Sequence, residues 1–349
     1  MDLYEIANNF KIQGSPAVVK PYGAGHINDT YYVQTDQCRK YILQKINQNV
    51  FGDIGALMLN IKKVTDYLTV KSKGLYRSLT IVPTIKGALY HESTHGCYRM
   101  YDYVDNGITY KAASPEIMFR AGSALGEFVR LLDGFPADCL TEVIPAFHNT
   151  KARLADLERA VKHDRLMRAD CVKGEIAFAY ERKVDSGLIV DMLDNRTLPL
   201  RVAHNDTKLD NIIFDRLSGK PICIADLDTV MPGSVLYDFG DAIRSAANPA
   251  AEDETDLDKV YCDLRHFERF AEGFLAQCGD ILTADEIEFL HVAPRILALE
   301  CGIRFLTDYL DGDRYFKTHR EHQNLDRCRA QFKLVYDMEN KHDEMKAII

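Results

Sequence analysis

Apolar and polar positions change their spacing twice along this chain. Tyr31-Tyr32-Val33-Gln34-Thr35 and Lys40-Tyr41-Ile42-Leu43-Gln44-Lys45-Ile46 are rich in aromatic and β-branched side chains. Asp36-Gln37-Cys38-Arg39 separates them and reads as a hairpin turn. Leu57, Ile61, Val64 and Leu68 then fall on one face of a helix from Leu57 to Val70. Leu79-Thr80-Ile81-Val82 and residues 96–104 predict further strands. After the Asn106-Gly107 break the helical period dominates. Ser114-Pro115-Glu116 is a helix start, with Ser as N-cap and Pro at the first helical position. Met118, Leu125, Phe128 and Leu132 give that helix its apolar face, and helical spacing recurs at 151–192, 256–278, 284–310 and 324–346. Short apolar runs around Gly219 predict a β-hairpin within 200–231. No internal repeat, low-complexity tract or long linker interrupts this order.

With 349 residues and 46% hydrophobic content, the chain can build two lobes with a real core. Its net charge of −9 argues against nucleic acid or an anionic membrane as main partner. The N-terminus lacks the basic and apolar regions of a signal peptide, and no run of about 20 apolar residues suggests a membrane span. The nine Cys are scattered without a C-x-x-C pair, which reads as reduced thiols in a cytoplasmic protein.

The densest chemistry lies in the predicted hairpin. His204-Asn205-Asp206-Thr207-Lys208-Leu209-Asp210-Asn211 is followed by Ile222-Cys223-Ile224-Ala225-Asp226-Leu227-Asp228. A carboxylate, a carboxamide five positions later and a second carboxylate at a strand end match the catalytic set of kinases. Asp206 is the candidate base, which orients a substrate hydroxyl and accepts its proton late. Asn211 and Asp226 are candidate Mg²⁺ ligands, because hard oxygen donors suit that ion. His204 is expected to hold the loop. The fold class that follows is α+β: a bilobal protein-kinase-like fold, with a small antiparallel β-rich N-lobe over 1–103 that binds the nucleotide. A larger, mostly helical C-lobe over 104–349 carries the catalytic loop and the acceptor, with ATP-Mg²⁺ between the lobes.

Other features take their place from that frame. Tyr22-Gly23-Ala24-Gly25-His26 precedes a strand, and Gly23 and Gly25 would let backbone approach the phosphates; a tight strand connection explains them as well. Lys45 is the candidate cation for the α/β-phosphates, with Gln44 as competitor because alternation lets only one of them face the nucleotide. The helix from Leu57 offers no Glu to pair with Lys45, which leaves Asp53, Asp66 or no partner. Tyr101 and Tyr103 lie where the connection between lobes would receive adenine, or in an ordinary aromatic strand. Asp238, Asp241 and Arg244 stand at i, i+3 and i+6, either as an active-site wall or as an exposed salt-bridged turn. Glu300 to Phe316 mixes charged and aromatic residues in the way that suits a sugar, or packs a helix end on its neighbour.

The His204–Asn211 and Asp226–Gly233 segments, with Tyr237-Asp238-Phe239-Gly240-Asp241-Ala242-Ile243-Arg244, resemble the aminoglycoside phosphotransferase/choline kinase superfamily. Gly25–Tyr31, Tyr41–Asn47 and Arg304–Tyr315 extend the likeness over nearly the whole chain and resemble the N-acetylhexosamine 1-kinase family within it. That resemblance implies transfer of the ATP γ-phosphate to the anomeric hydroxyl of N-acetylglucosamine or N-acetylgalactosamine. It implies His26, Arg304 and Tyr315 as sugar contacts alongside Asp206. The missing helix Glu departs from the general kinase pattern. Another hydroxyl in the same fold (choline, an aminoglycoside, homoserine, another sugar) is the alternative; the absence of Trp disfavours an aromatic cage for choline. A silent nucleotide-binding module is a third reading, against which Asp206, Asn211 and Asp226 are all intact.

Overall fold

The alternation in the first hundred residues becomes a twisted antiparallel sheet in the computed structural model, which describes residues 2–23, 27–73, 76–111 and 114–349. In chain order the elements begin with α1 (Leu3–Ala7), β1 (Pro16–Pro21), β2 (Asp29–Thr35), β3 (Lys40–Lys45), α2 (Ile54–Lys71), β4 (His91–Ser93), β5 (Gly96–Asp102) and β6 (Gly107–Ile108). They continue with α3 (Pro115–Leu132), α4 (Thr150–His163), α5 (Lys173–Glu181), α6 (Leu188–Asp194), β7 (Arg201–Ala203), β8 (Ile212–Asp215), β9 (Pro221–Ile224) and β10 (Met231–Gly233). The last helices are α7 (Val235–Ala246), α8 (Leu264–Cys278), α9 (Ala284–Phe289), α10 (Ala293–Asp311), α11 (Gln323–Asn340) and α12 (His342–Ile348). Two compact units result. The first joins Met1–Ile108 with Cys139–Pro145 and Ile213–Met231; the second joins Thr109–Asp138, Ala146–Ile212 and Pro232–Ile349.

In the first unit the five-stranded sheet runs β1-β2-β3-β5-β4. Its register pairs Leu43 with Tyr31 and Met100, and Gln44 with Thr30 and Arg99. Directly paired residues share a face, so every second position is committed to the same side. One side carries Val33, Tyr41, Leu43, Tyr98 and Met100, which pack with Ile6, Ala7 and Phe10 of the N-terminal segment. The other carries Thr30, Gln44, Arg99, Ile42 and Tyr101. The stretch 79–82 makes only an isolated bridge, Ile81 to Tyr101, before Pro83 ends it.

The second unit is built of helices whose boundaries follow local chemistry. Ser114 accepts the Ile117 N–H and Pro115 opens α3. The expected helical stretch 151–192 is three helices, because Asp164 turns left-handed (φ 33°) and its carboxylate accepts the N–H groups of Arg168 and Ala169. The stretch 284–310 breaks before Pro294, and 256–278 holds one 3-10 turn at Leu257–Lys259 and becomes α-helical only from Leu264, where Asp263 caps α8. Among the described residues no helix is long and apolar enough to cross a membrane.

Helices α3 and α8 touch through glycines. A Cβ on Gly122 would lie 2.1 Å from the Phe270 carbonyl oxygen, and one on Gly273 would lie 2.0 Å from that of Phe119. Phe239 of α7 packs edge-on against Phe267, Phe270 and Phe274 of α8. Replacing a helical Gly by Ala normally stabilises by about 0.5–1 kcal/mol. Here Gly122→Ala and Gly273→Ala should each cost roughly 1–3 kcal/mol by forcing the helices apart. Gly174→Ala, with nothing within 4 Å of the added atom, should not. Thermal melting of the three variants checks this; a stabilised Gly122→Ala would contradict it.

Candidate active site

Strand β7 delivers the chain to His204, and the next residue is held in an unusual conformation. Asn205 has φ 64°, in the left-handed region that side chains other than asparagine and aspartate rarely adopt. Both of its backbone polar groups are held. Its N–H donates to Asp238 Oδ1 (2.7 Å), and its carbonyl accepts from His148 Nε2 (3.0 Å). The His204 N–H donates to the second Asp238 oxygen at 2.9 Å. The Thr207 N–H donates to Asp241 Oδ2 (3.0 Å), and the Thr207 hydroxyl donates to the Asp238 carbonyl (2.5 Å). The i, i+3 pair Asp238/Asp241 is therefore a buried support on α7 rather than an exposed turn, and Arg244 closes it by binding Asp241 Oδ1 (2.6 Å).

Asp206 is thereby fixed, and its side chain remains partly open, at 23% exposure. Lys208 Nζ lies 2.9 Å from Oδ1, and Asn211 Nδ2 lies 3.2 Å from Oδ2. Burial raises the carboxyl's affinity for a proton, but Lys208, followed by His204 and Arg244, outweighs it and holds Asp206 below the usual carboxylate range. Asp206 is thus ionised and a weak base, which suits orientation of a hydroxyl. Asn211 also donates from Nδ2 to the Asp206 carbonyl (2.8 Å), so its amide oxygen points to the other side. Asn211 is half-buried, and neither of these bonds uses its amide oxygen. Lys208 was missed in the sequence, although its place two residues after the base was the available signal.

Arg304, on α10, stands among three aromatic rings. Its guanidinium carbon lies 5.2 Å from the Phe147 ring centroid, 5.5 Å from Phe316 and 5.8 Å from Tyr315. One turn earlier, Glu300 is fully buried and bonds His148 Nδ1 (2.8 Å) and the Thr150 hydroxyl (2.8 Å). Phe147 and His148 are consecutive, so the same short segment meets both Arg304 and the catalytic loop. Tyr315 is 58% exposed and lines a cavity of about 350 Å³ with Arg165, Asp308, Asp311 and Arg314. Gly25 and His26 lie outside the described residues.

The first unit holds a second polar cluster. Asp226 follows β9, is exposed and has φ 57°; Asp228, two residues on, is buried. Asp228 pairs with Arg99 and accepts from Asn28 Nδ2 at 2.7 Å. Arg99 donates from Nε to Gln44 (3.0 Å), and Gln44 donates to the Thr30 hydroxyl (3.1 Å). The buried cation on this face is therefore Arg99. Lys45 lies on the opposite face, paired with Asp29 and Tyr98 by register. The period of two puts Gln44 on the face of Arg99 and Lys45 on the other, so Lys45 does not join this cluster. Nor do the candidate helix acids serve it: Asp53 caps α2 and Asp66 pairs with Lys62. The carboxylate expected on the helix comes from Asp228, while α2 presents Asn60, which bonds Thr141 and Val230 backbone.

Tyr101 is buried under Arg99, 5.2 Å from guanidinium to ring, and so is closed to a ligand. Tyr103 is half-buried and packs edge-on against Tyr32 (5.5 Å) and Tyr22 (6.0 Å). Burial, with the adjacent Tyr103 hydroxyl, pushes the Tyr22 phenol up to about 12. Gly23 has φ +74°, is exposed, and has nothing within 4 Å of an added Cβ, leaving its backbone open to approach.

Residues 18–272 match the model of the phosphotransferase enzyme family APH. The chain belongs to this family. Solved structures with a similar fold include a microcompartment-associated aminopropanol kinase (13% identity, 99% of this chain and 98% of that one, TM-score 0.61). The amicoumacin kinase hAmiN, in complex with AMP-PNP, Ca²⁺ and Ami, is similar at 12% identity over 97% and 92% of the chains, with TM-score 0.65. An ethanolamine kinase of Plasmodium vivax is similar at 14% identity over 90% and 82%, with TM-score 0.56. The fold of this APH phosphotransferase is accordingly protein-kinase-like, with an antiparallel sheet in one unit and helices in the other.

Two expectations follow for the family member. Arg99 and Asp228 have side-chain exposures of 1% and 3%, so removing either partner leaves a buried charge. Asp228→Ala or Arg99→Ala should cost about 3–5 kcal/mol, and an Arg99→Met/Asp228→Leu double variant should recover most of it. Urea titration decides; additive losses would contradict the pairing. The second concerns pH. Burial, partly offset by His204 and the two backbone N–H donors, pushes the Asp238 carboxyl up to about 6. This exceeds the ordinary value of about 3.9, so its contribution to stability is full below that value and is lost as pH rises through about 6. Activity has the opposite sign, because the protonated acid gives up an acceptor for the loop. Turnover should fall below pH about 6 while wild type gains stability relative to Asp238→Asn. A turnover rate flat through that range would contradict the assignment.

Proposed function

We propose that this phosphotransferase moves the γ-phosphoryl group of ATP to the anomeric hydroxyl of an N-acetylhexosamine, N-acetylglucosamine or N-acetylgalactosamine, giving the sugar 1-phosphate. The observation that carries the acceptor class is Arg304 enclosed by Phe147, Tyr315 and Phe316. Aromatic rings cover the apolar faces of a pyranose, and the guanidinium donates to its hydroxyl or acetamide oxygens. A choline, ethanolamine or polyamine acceptor would need such an aromatic box for its own cation, and here an arginine already occupies it.

In this reading Asp206 orients the C1 hydroxyl and takes its proton as the bond to phosphorus forms and that to the ADP oxygen breaks. Lys208, held against Asp206, is placed to offset charge on the transferred group. Asn211 and Asp226 are the residues proposed to hold Mg²⁺, which would supply charge neutralisation at the nucleotide phosphates. Two protein oxygens are enough for an ion that keeps water and phosphate ligands. Arg99 is the cation proposed to act beside Asp226, where Lys45 was expected to meet the α/β-phosphates. The exposed backbone at Gly23 is proposed for the phosphates and Tyr103 for the base, with Tyr101 supporting Arg99 from beneath.

A coupled ADP assay across free sugars, amino alcohols and aminoglycosides tests this. N-acetylglucosamine or N-acetylgalactosamine should give the highest kcat/KM; turnover of an amino alcohol with neither sugar active would overturn the acceptor assignment. Asp206→Asn should bind ATP normally and lose roughly 10²–10⁴ in kcat. Arg304→Ala should raise the sugar KM about tenfold or more, the loss of a charge-assisted hydrogen bond, while leaving the ATP KM unchanged.

A further inference from the structure

His148 is 7% exposed and both of its ring nitrogens face acceptors. Nδ1 meets Glu300 at 2.8 Å, and Nε2 meets the Asn205 carbonyl at 3.0 Å. A carbonyl can only accept, so Nε2 carries a hydrogen. Burial acts to raise the Glu300 carboxyl, but His148, Arg304 and the Thr150 hydroxyl outweigh it and hold Glu300 ionised. An ionised carboxylate also only accepts, so Nδ1 carries a hydrogen too. A protonated Glu300 donating to a neutral ring would also satisfy both contacts, but the Thr150 hydroxyl donating to the other Glu300 oxygen and Arg304 one turn away favour the carboxylate, and with it the imidazolium.

The remaining groups around the ring agree. Tyr237 of α7 lies 4.9 Å away, Phe147 lies 4.6 Å away, and Asp241 of α7 adds negative charge. Asp238 of α7 is the other nearby carboxyl, and it holds the opposite polar group of Asn205. Burial favours the neutral ring, yet the Glu300 carboxylate above all holds the His148 pKa above its ordinary value. Asn205 is therefore gripped from two sides, with a carboxylate on its N–H and a cation on its C=O. The cation is anchored one turn from Arg304 on α10.

We propose that His148 is a positioning residue that works as an imidazolium: it ties Glu300 of the acceptor-binding helix to the Asn205 carbonyl and so aims the Asp206 carboxylate. It touches neither nucleotide nor acceptor. Loss of its proton, or of its donor to Asn205, frees the left-handed peptide to relax and moves the carboxylate out of line. The inference rests on Asp206 as the proton acceptor but not on the identity of the acceptor molecule.

The test combines a titration with kinetics. In ¹³Cε1-histidine-labelled wild type, the resonance assigned to His148 by its contacts to the Tyr237 ring should titrate above the 6.5 of an ordinary histidine. In Glu300→Gln its pKa should fall by about one unit or more, the scale of losing a buried opposite charge. His148→Gln keeps an N–H donor for the Asn205 carbonyl. It should retain kcat within about tenfold and lose the alkaline limb of the kcat profile, whereas His148→Phe keeps the ring and should lose about 10²-fold in kcat at unchanged ATP KM. A neutral His148 at pH 7 in wild type would overturn the proposal without any variant. So would wild-type kcat in a folded His148→Phe, or an alkaline limb unchanged in His148→Gln. If instead Asp206→Asn keeps its turnover, the base assignment fails, and the charge state of His148 is still read separately by the titration.

Discussion

The catalytic loop depends on one left-handed peptide being held from both sides. Asn205 is left-handed and is held there by charge: Asp238 accepts its N–H and that of His204, and His148 donates to its carbonyl. Both partners of Asn205 are buried, so the bonds are not competed away by water. The arrangement delivers Asp206 as the one partly open carboxylate of the set. It also explains why ten consecutive residues of α7, from Val235 to Arg244, are buried despite containing two acids and an arginine. Their charges are consumed by the loop and by one another.

The polar cluster in the first unit follows a related rule. The pleat determines which positions share the sheet face that carries Tyr101. Arg99 and Gln44 do, and Lys45 does not. The buried guanidinium needs a carboxylate, which Asp228 provides from the loop after β9, while Asn28 fixes the other Asp228 oxygen. The chain thus divides labour between two acids separated by one residue. Asp226 is presented outward from a left-handed turn, and Asp228 is buried as a structural counter-ion.

Much of this was legible in the sequence because it is local. Strands at 29–35 and 40–45, the capped helix from Pro115 and the hairpin around Gly219 are written in two- and four-residue periods. The spacing from His204 to Asn211 marked the loop for the same reason. What escaped depends on partners far apart in sequence. Arg99 and Asp228 are 129 positions apart, and His148 and Glu300 are 152 apart. No period connects them. Helix breaks were missed where a side chain competes with the backbone, as Asp164 does, and Lys45 was favoured over Gln44 by charge alone. Arg99 stood unremarked inside an aromatic strand, although a lone arginine in Tyr98–Tyr101 was itself a signal that a buried anion had to be near.

The family establishes phosphoryl transfer, and the aromatic enclosure of Arg304 supplies the argument for a sugar. The central claim is that Asp206 receives the proton of an anomeric hydroxyl. The most direct measurement is proton-coupled ³¹P NMR of the product made from ATP and N-acetylglucosamine or N-acetylgalactosamine, with wild type and Asp206→Asn run side by side. The account requires a new phosphate doublet split by the sugar H1 with wild type and its absence with the variant at equal nucleotide occupancy. Phosphate on another carbon, or an equal yield of the 1-phosphate from both proteins, would contradict it.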